Sequence, residues 1–141
     1  ELHYAGGIYL TDTLIGLILD VEVNDNSVEV GYALHPQYHN CGYATEALQG
    51  IIMYLFQNGI KEVVAGAFEY NLSSIRVMKK CGMEQIDKQE EIDYRGKKHH
   101  CVYYSIKKSN FSHIIIYEKN PIIFLLFYFL NIKLIFFLYI I

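Results

Sequence analysis

A change of hydrophobic period between residues 28 and 55 constrains this chain more than any other feature. Val28, Val30, Tyr32 and Leu34 alternate with Glu29, Gly31 and Ala33, the period-two signature of a strand with one face buried. His35-Pro36 ends that run, because proline lacks a ladder donor and restricts the residue before it. Ala44, Ala47, Leu48, Ile51, Ile52 and Leu55 then fall at i, i+3, i+4, i+7, i+8 and i+11, one face of a helix. Asn58-Gly59 supplies a stop that tolerates left-handed backbone, and Val63 to Phe68 follows as a short apolar run of the kind buried on both faces.

The flanks extend this strand–helix–strand unit. Gly7 to Leu10 and Leu14 to Val23 are apolar runs split by Thr11-Asp12-Thr13, a hairpin pattern, and Asn24 to Ser27 is a second turn cluster. Asn71 to Ser74 opens a second helix with Ile75, Met78 and Cys81 on one side and Gly82 at its close. Met83 to Glu91, the turn Tyr94-Arg95-Gly96-Lys97, and Val102 to Ile106 read as a terminal antiparallel hairpin. The order is strand, strand, strand, helix, strand, helix, strand, strand. That predicts a mixed α/β (α+β) sheet with two crossover helices, not a doubly wound array.

Composition narrows the function classes. A length of 141 residues suits one domain, and a net charge of -3 offers no basic stripe for a nucleic acid. Arg95, Lys97 and Lys98 are read as a solvated hairpin tip. Cys41, Cys81 and Cys101 form no CxxC pair and leave an odd count, so neither a disulfide framework nor a zinc site is expected. They are read as small apolar fillers in a reducing, cytoplasmic setting. His99 and His100 beside Cys101 would point to opposite faces of a strand and cannot converge on a metal.

The two ends differ from the middle. The chain opens at Glu1 directly before strand-like sequence, so an N-terminal segment is expected to be missing. From Ser109 onward the residues are nearly all Ile, Phe, Leu, Tyr, Asn and Lys. Residues 1–108 are therefore taken as the domain and 109–141 as an apolar extension. Pro121 to Ile141 has the length to span a bilayer, but Asn131 and Lys133 lie inside it, and a central lysine costs about 3 kcal/mol on insertion. A non-native extension is preferred to a membrane anchor, and no oligomeric state can be read.

Chemistry is concentrated where the first long helix begins. First-turn N–H groups have no intrahelical partner, and the helix dipole adds partial positive charge there. A glycine lets a phosphate oxygen approach the backbone without a Cβ in the way. Gln37 to Glu46 has this arrangement, with Gly42 and Ala44 small where the loop enters the helix, and a diphosphate is the best-matched ligand.

The run GYALHPQYHNCGYATEAL closely resembles motif A of the GNAT superfamily of N-acetyltransferases, whose loop reads Gln/Arg-x-x-Gly-x-Gly/Ala and falls here on His39, Gly42 and Ala44. NLSSIRVMKKCGM resembles the family's second signature, in wording most like the branch that includes ribosomal-protein N-terminal acetyltransferases. The likeness covers roughly residues 7–108. It implies the acyl-CoA N-acyltransferase fold, a mostly antiparallel sheet with one splayed parallel strand pair. It implies acetyl-CoA as cosubstrate, no metal, and an amine acceptor, either a small molecule or a protein N-terminus.

By that resemblance, backbone N–H groups of Cys41, Gly42, Tyr43, Ala44 and Thr45 would hold the CoA pyrophosphate, with His39 and Asn40 in the same loop. Tyr32, Ala33 and Leu34 would edge a cleft for the pantetheine arm, and an N–H near Leu34 would polarise the thioester carbonyl. Asn71 and Ser74 would form the far wall. His39 stands where the family has Gln or Arg, Asn40 where many members have Gly, and Met78 where a proton-donating Tyr is usual. Glu29 resembles the strand carboxylate that relatives use as a base, Glu90 or Glu91 is the alternative, and Ser74 is the candidate acid. Tyr103 and Tyr104 are read as packing residues. The family also begins with a strand and two helices on the acceptor side, which this chain is expected to lack. The competing function is therefore a non-catalytic acyl-CoA-binding fragment or pseudoenzyme.

Overall fold

The computed structural model describes residues 5–111, and the calls on 112–141, the membrane-length run included, lie outside the described residues. Three strands come first: β1 (Ala5–Leu10), β2 (Thr13–Val23) and β3 (Ser27–Leu34). Helix α1 (Tyr43–Gln57), strand β4 (Glu62–Phe68) and helix α2 (Leu72–Lys80) follow. The hairpin β5 (Glu84–Tyr94) and β6 (Lys97–Lys107) then leads into a single turn, α3 (Lys108–Phe111). The strands form one six-stranded sheet in the order β1-β2-β3-β4-β6-β5, in which only β3 and β4 pair in parallel. This is the expected mixed sheet, with α1 crossing from β3 to β4 and α2 carrying the chain past β6 to β5.

Both crossover helices lie on one face. Alternation turns Val28 and Val30 of β3, and Val63, Ala65 and Ala67 of β4, toward Ala47, Leu48, Ile51, Ile52 and Leu55 of α1. Leu48, Ile52 and Leu55 are fully buried, which places the core between α1 and the strands beneath it. From α2 come Met78 and the capping Cys81, both buried, so Met78 fills core as its thioether suits. The expectation that β4 is buried on both faces is corrected here. Val64 and Phe68 are only half-buried and Gly66 is exposed, because the described helices cover one side alone. On that other side β2 presents Leu17, Leu19 and Val21 to solvent.

Local chemistry sets the element ends. Gly59 and Gly82 adopt positive φ just past the two helices, and Met83 N–H returns to the Met78 carbonyl to close α2. Arg95 and Gly96, both at positive φ, make the tip of the last hairpin. Phe111 meets Phe56 edge-on with centroids 5.2 Å apart, so packing continues through the end of α3. No helix among the described residues is long and apolar enough to cross a membrane.

Candidate functional site

The parallel ladder is short. Ser27, Val28 and Glu29 of β3 pair with Glu62, Val63 and Val64 of β4, and there the ladder ends. Both strands run on, β3 held by β2 as far as Leu34 and β4 held by β6 as far as Phe68. A gap thus opens toward their carboxyl ends, with Glu29 at its apex. Backbone direction follows from one hydrogen bond: His35 N–H donates to the Ile15 carbonyl on β2. Because successive residues of a strand alternate sides, the amides of Tyr32 and Leu34 turn the other way, into the gap.

The loop that leaves β3 returns over the mouth of this gap. A short 3-10 turn at Pro36–Tyr38 starts it, with the His35 ring accepting from Gln37 N–H. Asn40 sits at φ 61, a left-handed conformation that asparagine tolerates, which explains a non-glycine residue there. Gly42 follows at φ 90 as the N-cap of α1, where no side chain caps the helix. A Cβ built on Gly42 meets nothing within 4 Å. The first-turn N–H groups of Tyr43, Ala44 and Thr45 have no partner within the helix and follow a residue with no side chain, the arrangement an anion needs. Glu46, in the same turn, has its carboxyl raised by burial.

His39 and Cys41 serve the loop itself. The His39 ring bonds the Leu34 carbonyl through Nε2 at 3.0 Å, and Cys41 Sγ donates to the His39 carbonyl at 3.4 Å. The Leu34 carbonyl is thus engaged by the loop, while its N–H is turned into the gap. On the far wall, Asn71 caps α2 by accepting from Ser74 N–H at 3.2 Å, which puts Ser74 in the first turn as its capping partner. Tyr32 reaches across from β3 and donates its hydroxyl to the Ser74 carbonyl at 3.1 Å. Burial pushes that phenol up to about 12, so it stays protonated at any physiological pH. At the other end of α2, Cys81 donates to the Thr45 carbonyl, and burial pushes its thiol up to about 12, which makes it inert.

The carboxylates separate clearly. Glu29 lies on the face away from the helices, side chain 13% exposed, and receives the Lys88 ammonium at 2.9 Å. Glu90 also contacts Lys88, at 3.4 Å, and accepts from the Tyr103 hydroxyl at 2.9 Å. Glu91 points to the other side and pairs with His100 at 3.1 Å. Of the two adjacent glutamates it is Glu90 that the fold brings to Glu29, and Tyr103 comes with it. Lys88 carries no motif in the sequence. It reaches Glu29 because Asp87 and Lys88 sit in a β5 bulge between Ile86 and Gln89, whose position cannot be read from alternation. The described residues hold no cluster of His, Cys, Asp and Glu able to take a metal ion.

With that geometry in hand, the likeness to known proteins is informative. Residues 3–84 match the sequence profile of the acetyltransferase (GNAT) domain. Over 76 residues the chain is 38% identical to YnaD, an uncharacterised N-acetyltransferase of Bacillus subtilis, a match covering 52% of this chain and 45% of that one. A GNAT-family acetyltransferase from Bacillus anthracis superposes with TM-score 0.64 at 28% identity, over 70% of this chain and 61% of its own. RimL, a ribosomal L7/L12 alpha-N-protein acetyltransferase solved with coenzyme A, superposes with TM-score 0.66 at 16% identity, over 70% and 58%, and shares the fold. The chain thus spans less than half the length of the curated relative and about three-fifths of these solved chains.

Proposed function

Because the chain belongs to the GNAT acetyltransferase family, we propose that it transfers an acetyl group from acetyl-CoA to a primary amine by direct attack. The observation that carries this reading is the open, left-handed Gly42 at the head of α1, set over the gap where β3 and β4 stop pairing. Backbone N–H groups of Cys41 to Thr45 hold the diphosphate of CoA, and the pantetheine arm pairs along Tyr32, Ala33 and Leu34. His39 and Asn40 shape the loop that presents those donors. The Leu34 N–H polarises the thioester carbonyl, an oxyanion donor fixed before the reaction begins. Asn71 and Ser74 line the far wall.

Glu29 is the base. It takes a proton from the incoming ammonium, directly or through water, and the neutral nitrogen then forms the new C–N bond as the C–S bond breaks. The nitrogen gives up its second proton to water as the sulfur leaves as a thiolate, and Ser74 relays a proton from water to that sulfur, its place in the first turn of α2 being the support for that assignment. Glu91, turned toward His100, is the weaker candidate for the base, and Glu90 is better placed. The cytoplasm is the setting this reading implies.

Calorimetry tests the cosubstrate seat. The parent chain is expected to bind acetyl-CoA, and Gly42→Asp to lose binding altogether, since it puts a carboxylate where the diphosphate sits. Gly42→Ala is expected to bind while melting lower, because positive φ costs an alanine about 1 kcal/mol. Unchanged affinity in Gly42→Asp would remove the mechanism. For Glu29→Gln, the release of free thiol is expected to show kcat reduced by about 10²- to 10⁴-fold with acetyl-CoA affinity kept. A pH–rate profile identical to the parent's would clear Glu29.

A further inference from the structure

The face of the sheet away from the helices carries an ion cluster that the resemblance to known enzymes does not account for. Lys88 Nζ stands 2.9 Å from Glu29, 3.4 Å from Glu90 and 4.0 Å from Glu22. It also lies over the face of the Tyr103 ring, 4.2 Å from the centroid. That ring fits because its neighbour across the ladder is Gly66, where a Cβ would stand 2.7 Å from the ring carbons. Tyr103 is in turn steered by its hydroxyl, which donates to Glu90 Oε2 and leaves Oε1 for the ammonium. Carboxylates on two sides and an aromatic face on a third form a cage for an alkylammonium.

Three features separate this cage from an ordinary surface ion pair. It lies at the apex of the β3–β4 gap, since Glu29 belongs to the last pair of the parallel ladder. Its charges do not balance among the described residues: three carboxylates face the Lys88 ammonium. And its occupant can leave, because Lys88 sits in the β5 bulge with its side chain 34% exposed, whereas Glu29 is largely buried and fixed. A buried carboxylate needs a cation, but nothing in the cage requires that cation to be Lys88.

We infer that Lys88 is a tethered stand-in for the acceptor, occupying a subsite for a primary ammonium on an unbranched alkyl arm until the acceptor displaces it. The reading rests on the proposed acetyl transfer for its purpose, yet the cage itself can be tested apart from it. Lys88 is then a specificity-determining residue. It keeps the carboxylates screened when no amine is present, and it sets the concentration at which an amine enters. Neutral or branched compounds gain nothing by competing, since they cannot replace the charge or fit beside the ring.

Ligand-detected NMR titration with n-butylammonium, using the full chain, measures the cage. Lys88→Met is expected to bind it at least tenfold more tightly than the parent, with Lys88→Arg like the parent and n-butanol bound by none. Adding Glu29→Gln to Lys88→Met should erase the gain. Lys88→Gln serves in place of Lys88→Met if the latter does not fold. A parallel titration with Nα-acetyl-lysine methylamide tells the sources apart: equal gain means that a peptide lysine also fits, and gain for butylammonium alone means a free amine. No gain for butylammonium in either neutral variant, or an equal gain for n-butanol, overturns the proposal. Acetyl-CoA titrated into the same proteins reports separately on the cosubstrate seat, so failure there leaves the cage result standing.

Discussion

Single residues in this protein act mainly through where the backbone puts their polar atoms. Tyr32 illustrates it: a strand residue in sequence, it spans the gap and holds the Ser74 carbonyl with its hydroxyl. Tyr32→Phe is expected to cost about 1 kcal/mol, the worth of one such bond, measured by urea unfolding at neutral pH. Its pH dependence has a definite sign. The folded phenol titrates near 12 and the unfolded one near 10.0, so the neutral form is favoured by folding. That contribution is whole below pH 10 and is lost as pH rises toward 12. The parent's urea midpoint should therefore fall more steeply than the Tyr32→Phe midpoint across that window, and parallel curves would show that the phenol is not buried in solution.

Elements position the site by where their pairing stops. The β3–β4 ladder yields after Glu29 and Val64 because β2 and β6 hold the two strands on their outer edges and carry them apart. The β5 bulge aims Lys88 back over β6 at the same apex. Gly66 is the point where these pieces touch, since the Tyr103 ring occupies the space of its missing side chain. Gly66→Val is expected to push the ring off the strand, destabilise the fold by about 1–3 kcal/mol and loosen the Lys88 cage. A thermal melt and the butylammonium titration would both register the change. A melt equal to the parent's would show that the ring has room to move.

For the whole molecule, the division of labour is between two faces of one sheet. The helix face supplies the core and the head of α1, while the opposite face supplies Glu29 and the ion cage. A ligand that enters the gap touches both layers, so it should stabilise the fold as a unit. With acetyl-CoA at a hundred times its dissociation constant, mass action gives about 2.7 kcal/mol, read as a higher melting temperature. Gly42→Asp should abolish that shift and should itself melt lower than the parent, since the positive φ at this position strains any side chain.

The sequence by itself determined the order of the elements, the mixed sheet, the glycine-opened helix and the core role of Met78. Each of these is written in local periods and turn residues, which act over a few positions of chain. What only the tertiary structure decided is which face each strand residue meets and which distant groups share a cavity. That β4 is covered on one side, that Glu90 and not Glu91 joins Glu29, and that Lys88 reaches both all depend on strand order and on one bulge. The bulge holds two residues between neighbouring ladder pairs, so Ile86 and Glu90 keep the same facing; what it sets is the reach of Lys88, which no local period in the sequence records.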